Sequence, residues 1–178
     1  MQRRRFISSM VATGFVSVLP SSGLAASDIQ YFHSFEVADE DIQSLERSRD
    51  YWREKLDSDA WRVLFQEATE PAYSSELDGF YEKGSYVCAA CHLPLFTSDT
   101  KYDSRTGWPS FWRAYEEHIG TKRDFRMLWP RTEYHCIRCG GHQGHVFEDG
   151  PEPTGERWCN NGLALRFVAA DDPLPALR

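Results

Sequence analysis

The sequence predicts a mainly β domain of two small, twisted antiparallel sheets, with helices of the N-terminal segment packed on its outside. From Gly84 onward the apolar residues come in short β-leaning runs, such as Tyr86-Val87 and Leu95-Phe96, separated by Gly, Pro, Asp and Ser. Before Gly84 they recur at helical spacing instead. Short strands that do not alternate with long helices favour antiparallel sheets over a parallel one.

Two helices are predicted in the N-terminal segment. A helical tendency covers Asp39 to Leu56. A second helix is expected to begin with a cap at Ser58 or Asp59 and to end at Pro71, which cannot continue a helix. The apolar residues at helical spacing in this second segment are Trp61, Leu64, Phe65 and Ala68. We expect this stripe to pack against the main sheet.

Residues 1–26 have the pattern of an export signal. Three consecutive arginines precede a short apolar stretch, Ile7 to Leu19, and small residues follow at Ala25-Ala26. The run Arg3 to Ile7 resembles a twin-arginine signal, with an ordinary secretory leader as the alternative. An apolar stretch this short is not expected to span a bilayer. The prediction is therefore an exported, periplasmic protein without a membrane span.

The remaining chain is predicted to form one domain. Residues 27–50 are polar and acidic and are interpreted as a mobile lead-in, residues 51–170 as the domain and residues 171–178 as a short tail. The chain has 20 basic and 27 acidic residues, and the leader removes three arginines, so the mature chain carries a net charge of about −10. Such a surface repels phosphate backbones and argues against nucleic-acid binding. A monomer is expected.

Two Cys-x-x-Cys knuckles predict a metal site. Cys88 and Cys91 form the first and Cys136 and Cys139 the second. Four thiolates at about 2.3 Å complete the tetrahedron of one structural zinc ion and leave no position for a reactive water. Two alternatives are open: the first knuckle as a redox dithiol, or a zinc site made from the second knuckle with the two nearby histidines.

Cys159 is the one cysteine outside the knuckles. Arg157 and Asn161 lie two residues before and after it, so in an extended strand all three side chains share one face while Trp158 points away. A nearby arginine stabilises the thiolate, which is the attacking form of cysteine. This pattern indicates a nucleophile, with a buried structural thiol as the alternative.

Histidines and aromatic residues complete the candidate site. His142 and His145 flank Gly144, which allows the backbone to direct both rings at one pocket, where histidine can donate a proton. The alternative is two hydrogen-bonded structural histidines. The aromatic residues that could wall a slot for a methyl thioether, or belong to the core instead, are Trp108, Phe111 and Phe147.

Three stretches resemble the B type of the methionine-R-sulfoxide reductase family: Cys88 to Trp112, Arg131 to Pro151 and Gly155 to Phe167. The match runs in order from about Trp52 to Phe167. The resemblance implies a zinc-tent fold and an enzyme that reduces methionine-R-sulfoxide, free or in proteins.

The resemblance also implies a role for each matching residue. Cys159 would attack the sulfoxide sulfur and become a sulfenic acid. His142, His145 and Asn161 would bind or protonate the oxygen. Trp108 would pack on the substrate methyl. Asp149 and Arg157 would tune the site.

Three positions depart from the family pattern. Thr106 stands where many members carry a resolving cysteine, so an external thiol, from a thioredoxin-like protein, a glutaredoxin or glutathione, is expected to reduce the sulfenic acid. Asn160 and Gln143 replace residues that are usually apolar, and they are expected to alter the packing behind Cys159 and the pocket wall. The rival functions are a non-catalytic zinc-tent binding module and a glutathione-dependent enzyme acting on carbonyl adducts.

Overall fold

The computed structural model describes residues 42–126 and 129–178, so the predicted export signal and most of the lead-in lie outside the described residues. Within these described ranges, the α-helices α1 (Arg49–Arg53) and α2 (Ser58–Gln66) precede nine strands. The strands are β1 (Gly84–Cys88), β2 (Pro94–Thr97), β3 (Lys101–Tyr102), β4 (Ser110–Phe111), β5 (Ile119–Asp124), β6 (Arg131–Cys136), β7 (His142–Phe147), β8 (Arg157–Asn160) and β9 (Leu165–Ala169). Short 3-10 turns cover Ser98–Thr100, Glu116–His118 and Gly162–Ala164.

The strands form two antiparallel sheets, which confirms the predicted fold class. The smaller sheet has the order β2-β1-β9, and the larger has the order β3-β4-β8-β7-β6-β5. Every described strand pair is antiparallel. Strands β7 and β8, which carry most of the candidate site, occupy the middle of the larger sheet. Neighbouring strands on both sides therefore hold the site in place.

Aromatic side chains from both sheets fill the core. The rings of Phe96 and Phe111 stack with their centroids 4.1 Å apart, and Tyr86 meets Phe111 edge-on at 4.9 Å. In the larger sheet Tyr134 contacts Trp158 edge-on at 5.0 Å. Offset and edge-to-face arrangements of this kind add to the stabilisation that burial of the rings already provides.

The helices are shorter than the sequence pattern predicts. Within the described residues α1 begins only at Arg49, because the Ser48 hydroxyl accepts a hydrogen bond from the Tyr51 amide at 3.2 Å and caps the helix there. The N-cap position of α2 is Asp57, one residue before the predicted positions; its backbone is extended and its side chain makes no capping hydrogen bond. The helix ends at Glu67, whose φ of 54° is left-handed, and not at Pro71.

Both ends of the described region are hydrogen-bonded to the rest of the domain. The amide of Leu45 donates to the carbonyl of Arg138 at 2.6 Å, and the side chains of Ile42 and Leu45 pack against the core. At the other end the amide of Arg178 donates to the carbonyl of Cys91 at 3.1 Å. Among the described residues, no helix combines the length and the apolar character needed to cross a membrane.

Candidate active site

The four knuckle cysteines converge on one buried point. The Sγ atoms of Cys88 and Cys139 lie 3.6 Å apart, those of Cys91 and Cys136 lie 3.5 Å apart, and all four fall within 4.8 Å of one another. In a tetrahedron with metal–sulfur bonds of 2.3 Å, neighbouring sulfurs are about 3.8 Å apart. The four cysteines are therefore placed to hold one metal ion, and the donor set suits zinc.

Each knuckle closes through one residue with a left-handed backbone. His92 has a φ of 66° and donates its amide to the carbonyl of Cys88 at 2.9 Å; Gly140 has a φ of 71° and donates to Cys136 in the same way. Gln143 is fully buried beside this cluster, with its Nε2 atom 3.4 Å from the Cys88 sulfur. Its side chain thus lies against the cysteines and does not form the cavity wall.

A separate cavity of about 240 Å³ opens beside Cys159. Strands β7 and β8 bring the central residues together, because His145 and Cys159 are direct partners in the ladder. Six of the predicted site residues line this cavity: Trp108, His145, Phe147, Arg157, Cys159 and Asn161. Thr69, Thr106, Arg131, Gly144 and Asn160 complete the lining.

Cys159 is half-buried and has a basic neighbour. Burial raises the pKa of its thiol, while Arg157, Thr106 and Ser110 act in the opposite direction without reversing the shift. The resting sulfur is therefore mainly a thiol near neutral pH. A ligand that brings positive charge or hydrogen-bond donors to the sulfur would favour the thiolate.

An exposed aspartate fixes the arginine in place. Asp149 accepts two hydrogen bonds from Arg157, at 2.8 and 2.9 Å, and the guanidinium lies 4.2 Å from the centroid of the Phe147 ring. The pKa of Asp149 is lowered by its hydrogen bonds from Arg157. Asp149 does not line the cavity and acts on the site through Arg157.

Each histidine is hydrogen-bonded to a buried carboxylate that was not predicted from the sequence. The Nε2 atom of His145 lies 2.8 Å from Asp124, and the Nδ1 atom of His142 lies 2.9 Å from Glu133. The pKa of His145 is lowered because burial outweighs the hydrogen bond with Asp124. His142 is 2 % exposed and lies behind His145, with ring centroids 5.6 Å apart. It does not line the cavity.

The buried residue Glu70 orients Trp108 and Asn161, and the sequence did not predict this role. The carbonyl of Glu70 accepts the Trp108 indole N–H at 3.1 Å, and its amide donates to the Asn161 side chain at 3.1 Å. The Glu70 carboxylate accepts the amides of Gly162 and Leu163, at 2.6 and 2.9 Å. One residue thus orients both the tryptophan and the asparagine of the site.

Two positions have roles in packing. Phe111 is fully buried in the aromatic core and does not line the cavity, so the structure does not place it where a substrate wall was predicted. Asn160 accepts a hydrogen bond from the Tyr134 hydroxyl at 2.6 Å and donates to the Asn161 carbonyl at 2.7 Å. These bonds satisfy a polar side chain that is fully buried.

The fold thus combines a cysteine cluster placed to hold a metal ion with a separate cavity that contains the thiol of Cys159. The family model described as the SelR domain matches residues 56–169. Three relatives named "Peptide methionine sulfoxide reductase MsrB" are similar over most of the chain. The protein of Hahella chejuensis is 44 % identical over 131 residues, which cover 73 % of this chain and 94 % of the relative.

The other two relatives come from Leptospira interrogans and Methanosarcina mazei. The first is 45 % identical over 124 residues, covering 69 % of this chain and 95 % of the relative. The second is 45 % identical over 129 residues, covering 72 % of this chain and 92 % of the relative. The chain therefore belongs to the methionine-R-sulfoxide reductase family.

Proposed function

We propose that this protein reduces methionine-R-sulfoxide to methionine with Cys159 as the nucleophile. The observation that carries the proposal is the cavity in which the Cys159 thiol faces His145 and Arg157 beside two aromatic walls. Family membership supports the same reaction. A non-catalytic binding module would not need a half-buried thiol among these groups.

The walls of the cavity fit the substrate methyl group. Trp108 and Phe147 offer apolar ring surface, against which sulfur and methyl groups pack favourably. With the methyl there, the sulfoxide sulfur faces Cys159 and the oxygen faces His145 and Asn161. His145 donates a proton to the oxygen, and Asp124 keeps the ring oriented. His142 acts from behind through its contact with His145.

The reaction transfers one oxygen atom to the enzyme. The Cys159 sulfur attacks the sulfoxide sulfur, the sulfur–oxygen bond of the substrate breaks, and the oxygen ends on Cys159 as a sulfenic acid while methionine leaves. The thiol is oxidised by two electrons and the sulfoxide is reduced by two. The thiol proton and the oxygen account for the hydroxyl group of the sulfenic acid.

An external thiol completes the cycle. Once four of the five cysteines hold a metal ion, Cys159 has no partner for an internal disulfide. A first thiol of the reductant forms a mixed disulfide with Cys159 and releases water, and a second thiol frees Cys159 and leaves an oxidised disulfide. A thioredoxin-like protein, a glutaredoxin or glutathione supplies these thiols.

The cysteine cluster would hold one structural zinc ion. Cys88, Cys91, Cys136 and Cys139 supply four protein ligands, which fill a tetrahedral site. When bound, the ion ties the end of β1 to the end of β6. We also propose that residues 1–26 direct export to the periplasm, that the substrate is free or protein-bound, and that the protein is a monomer.

Separate assays of the two sulfoxide epimers test the proposed reaction. With excess dithiothreitol as reductant, we expect the zinc-loaded protein to release methionine from the R epimer and not from the S epimer. The methyl group and the oxygen need chemically different walls of the cavity. Only one configuration at the sulfoxide sulfur places each group against its own wall while the sulfur faces Cys159. Methionine release is measured by chromatography. Turnover of neither epimer would support the binding module instead.

The pH dependence of the reaction tests the proton donor. Asp124 raises the pKa of His145, so Asp124→Asn should lower it further and leave less protonated His145 near neutral pH. We expect turnover at neutral pH to fall about tenfold, with a smaller loss under acidic conditions. The pH profile of the rate provides the measurement. Asp59→Asn, on the exposed surface of α2, is the matched control, and an unchanged profile in Asp124→Asn would exclude His145 as the acid.

A further inference from the structure

Three hydroxyl groups form a chain beside the Cys159 sulfur. The Oγ atom of Ser104 lies 2.8 Å from Oγ1 of Thr106 and 2.7 Å from Oγ of Ser110. Ser110 donates to the carbonyl oxygen of Trp108 at 3.0 Å. Thr106 lines the cavity together with Cys159, and Ser110 is the direct strand partner of Cys159 in the pairing of β4 with β8.

The direction of the chain follows from counting hydrogens. Each hydroxyl donates one, and a carbonyl only accepts. Because Ser110 donates to Trp108, Ser104 must donate to Ser110, and Thr106 must donate to Ser104. When these three hydrogen bonds are made, the Thr106 hydroxyl has only lone pairs left for Cys159. A lone pair can accept the hydrogen of a neutral thiol but repels a thiolate, so this arrangement favours the thiol. To stabilise the thiolate, Thr106 must donate its hydrogen to the sulfur, and its hydrogen bond to Ser104 is then lost.

We infer that Ser104 and Thr106 are positioning residues that set the protonation state of Cys159 through the direction of this hydroxyl chain. In the resting protein the chain points to the Trp108 carbonyl and favours the thiol. When Thr106 turns, its hydroxyl stabilises the thiolate. The chain takes up no net proton, because it ends on a carbonyl. The inference rests on the proposed function only in taking Cys159 as the nucleophile.

The chain also links the substrate wall to the nucleophile. Trp108 is the wall on which the substrate methyl is proposed to pack, and its carbonyl anchors the last hydroxyl. Movement of this carbonyl would weaken the bond from Ser110 and free the chain to turn toward Cys159. The charged and titratable groups that face Cys159 from the surrounding strands are Arg157, His145, Tyr134, Tyr102 and Arg131. None of these is altered in the variants below.

Two substitutions in one chain should act in opposite directions. In Ser104→Ala, Thr106 loses its acceptor and can donate to the sulfur, so we expect the pKa of Cys159 to fall by about one unit. In Thr106→Val the thiolate loses its donor, and we expect the pKa to rise by about one unit. A role in packing alone would not give opposite signs.

The measurement is the rate of Cys159 alkylation by iodoacetamide across a pH series, on the full-length zinc-loaded protein. Mass spectrometry of the Cys159 peptide separates it from the knuckle cysteines. Thr121→Val, on the exposed face of β5, is the control for Thr106→Val, and thermal unfolding checks that each variant is folded. Shifts of the same sign in both variants, or none, would overturn the inference. Alkylation needs no turnover, so this result is independent of whether the protein reduces methionine sulfoxide.

Discussion

Cys159→Ser is expected to abolish methionine-R-sulfoxide reduction, by more than about 10³-fold, while the protein keeps its metal and its fold. A serine hydroxyl remains protonated and is a weak nucleophile toward sulfur, and it cannot carry the oxygen as a sulfenic acid. The side chain is half-buried, and serine has nearly the same shape, so little packing is lost. Methionine release from the R epimer, metal content and thermal unfolding are measured on the same preparation.

The same substitution in a knuckle is the matched control. Cys136→Ser exchanges the same atoms at a position that the structure assigns to the cysteine cluster. If Cys159 served a structural purpose, Cys159→Ser would lower the unfolding temperature and leave turnover in the fraction that remains folded. If one of the knuckle cysteines were the nucleophile, turnover would survive in Cys159→Ser.

Spacing along single strands and turns allowed most of the site to be predicted. Two Cys-x-x-Cys turns identify the metal cluster, because each turn fixes its own pair of sulfurs. Alternation along β8 places Arg157 and Cys159 on one face, and both line the cavity. These features depend on residues two or three apart, for which backbone geometry alone determines the relative direction of side chains.

What escaped prediction depends on contacts between distant segments. Asp124 reaches His145 across two strand pairings, and Glu70 reaches Trp108 from a loop that follows α2. No local spacing in the sequence marks either residue. For Phe111 the sequence left open whether the ring forms a cavity wall or belongs to the core, and in β4 the strand buries it in the core. Trp108, just before this strand, lines the cavity.

Cys136→Ser is expected to release the metal and to destabilise the whole domain. Apparent binding energies of structural zinc are about 10–16 kcal/mol in small zinc peptides, and domains of this size have a total stability of about 5–15 kcal/mol. Loss of one of four ligands therefore removes an amount comparable with the stability of the fold. Without the ion, the buried sulfurs would repel one another as thiolates or would have to take up protons, although Gln143 still donates a hydrogen bond to the Cys88 sulfur.

The expected results are less than one zinc per chain by elemental mass spectrometry and a large decrease in the unfolding temperature. A chelator should reproduce the same decrease in the unsubstituted protein, since the ion and not the thiol carries the effect. Cys159→Ser, with the same atoms exchanged outside the cluster, should keep one zinc and its unfolding temperature. Zinc retained at full stoichiometry in Cys136→Ser but lost in Cys159→Ser would reverse the two assignments. The fold argues against exchanged roles, because β6 ends at Cys136 inside the cluster whereas β8 places Cys159 at the cavity.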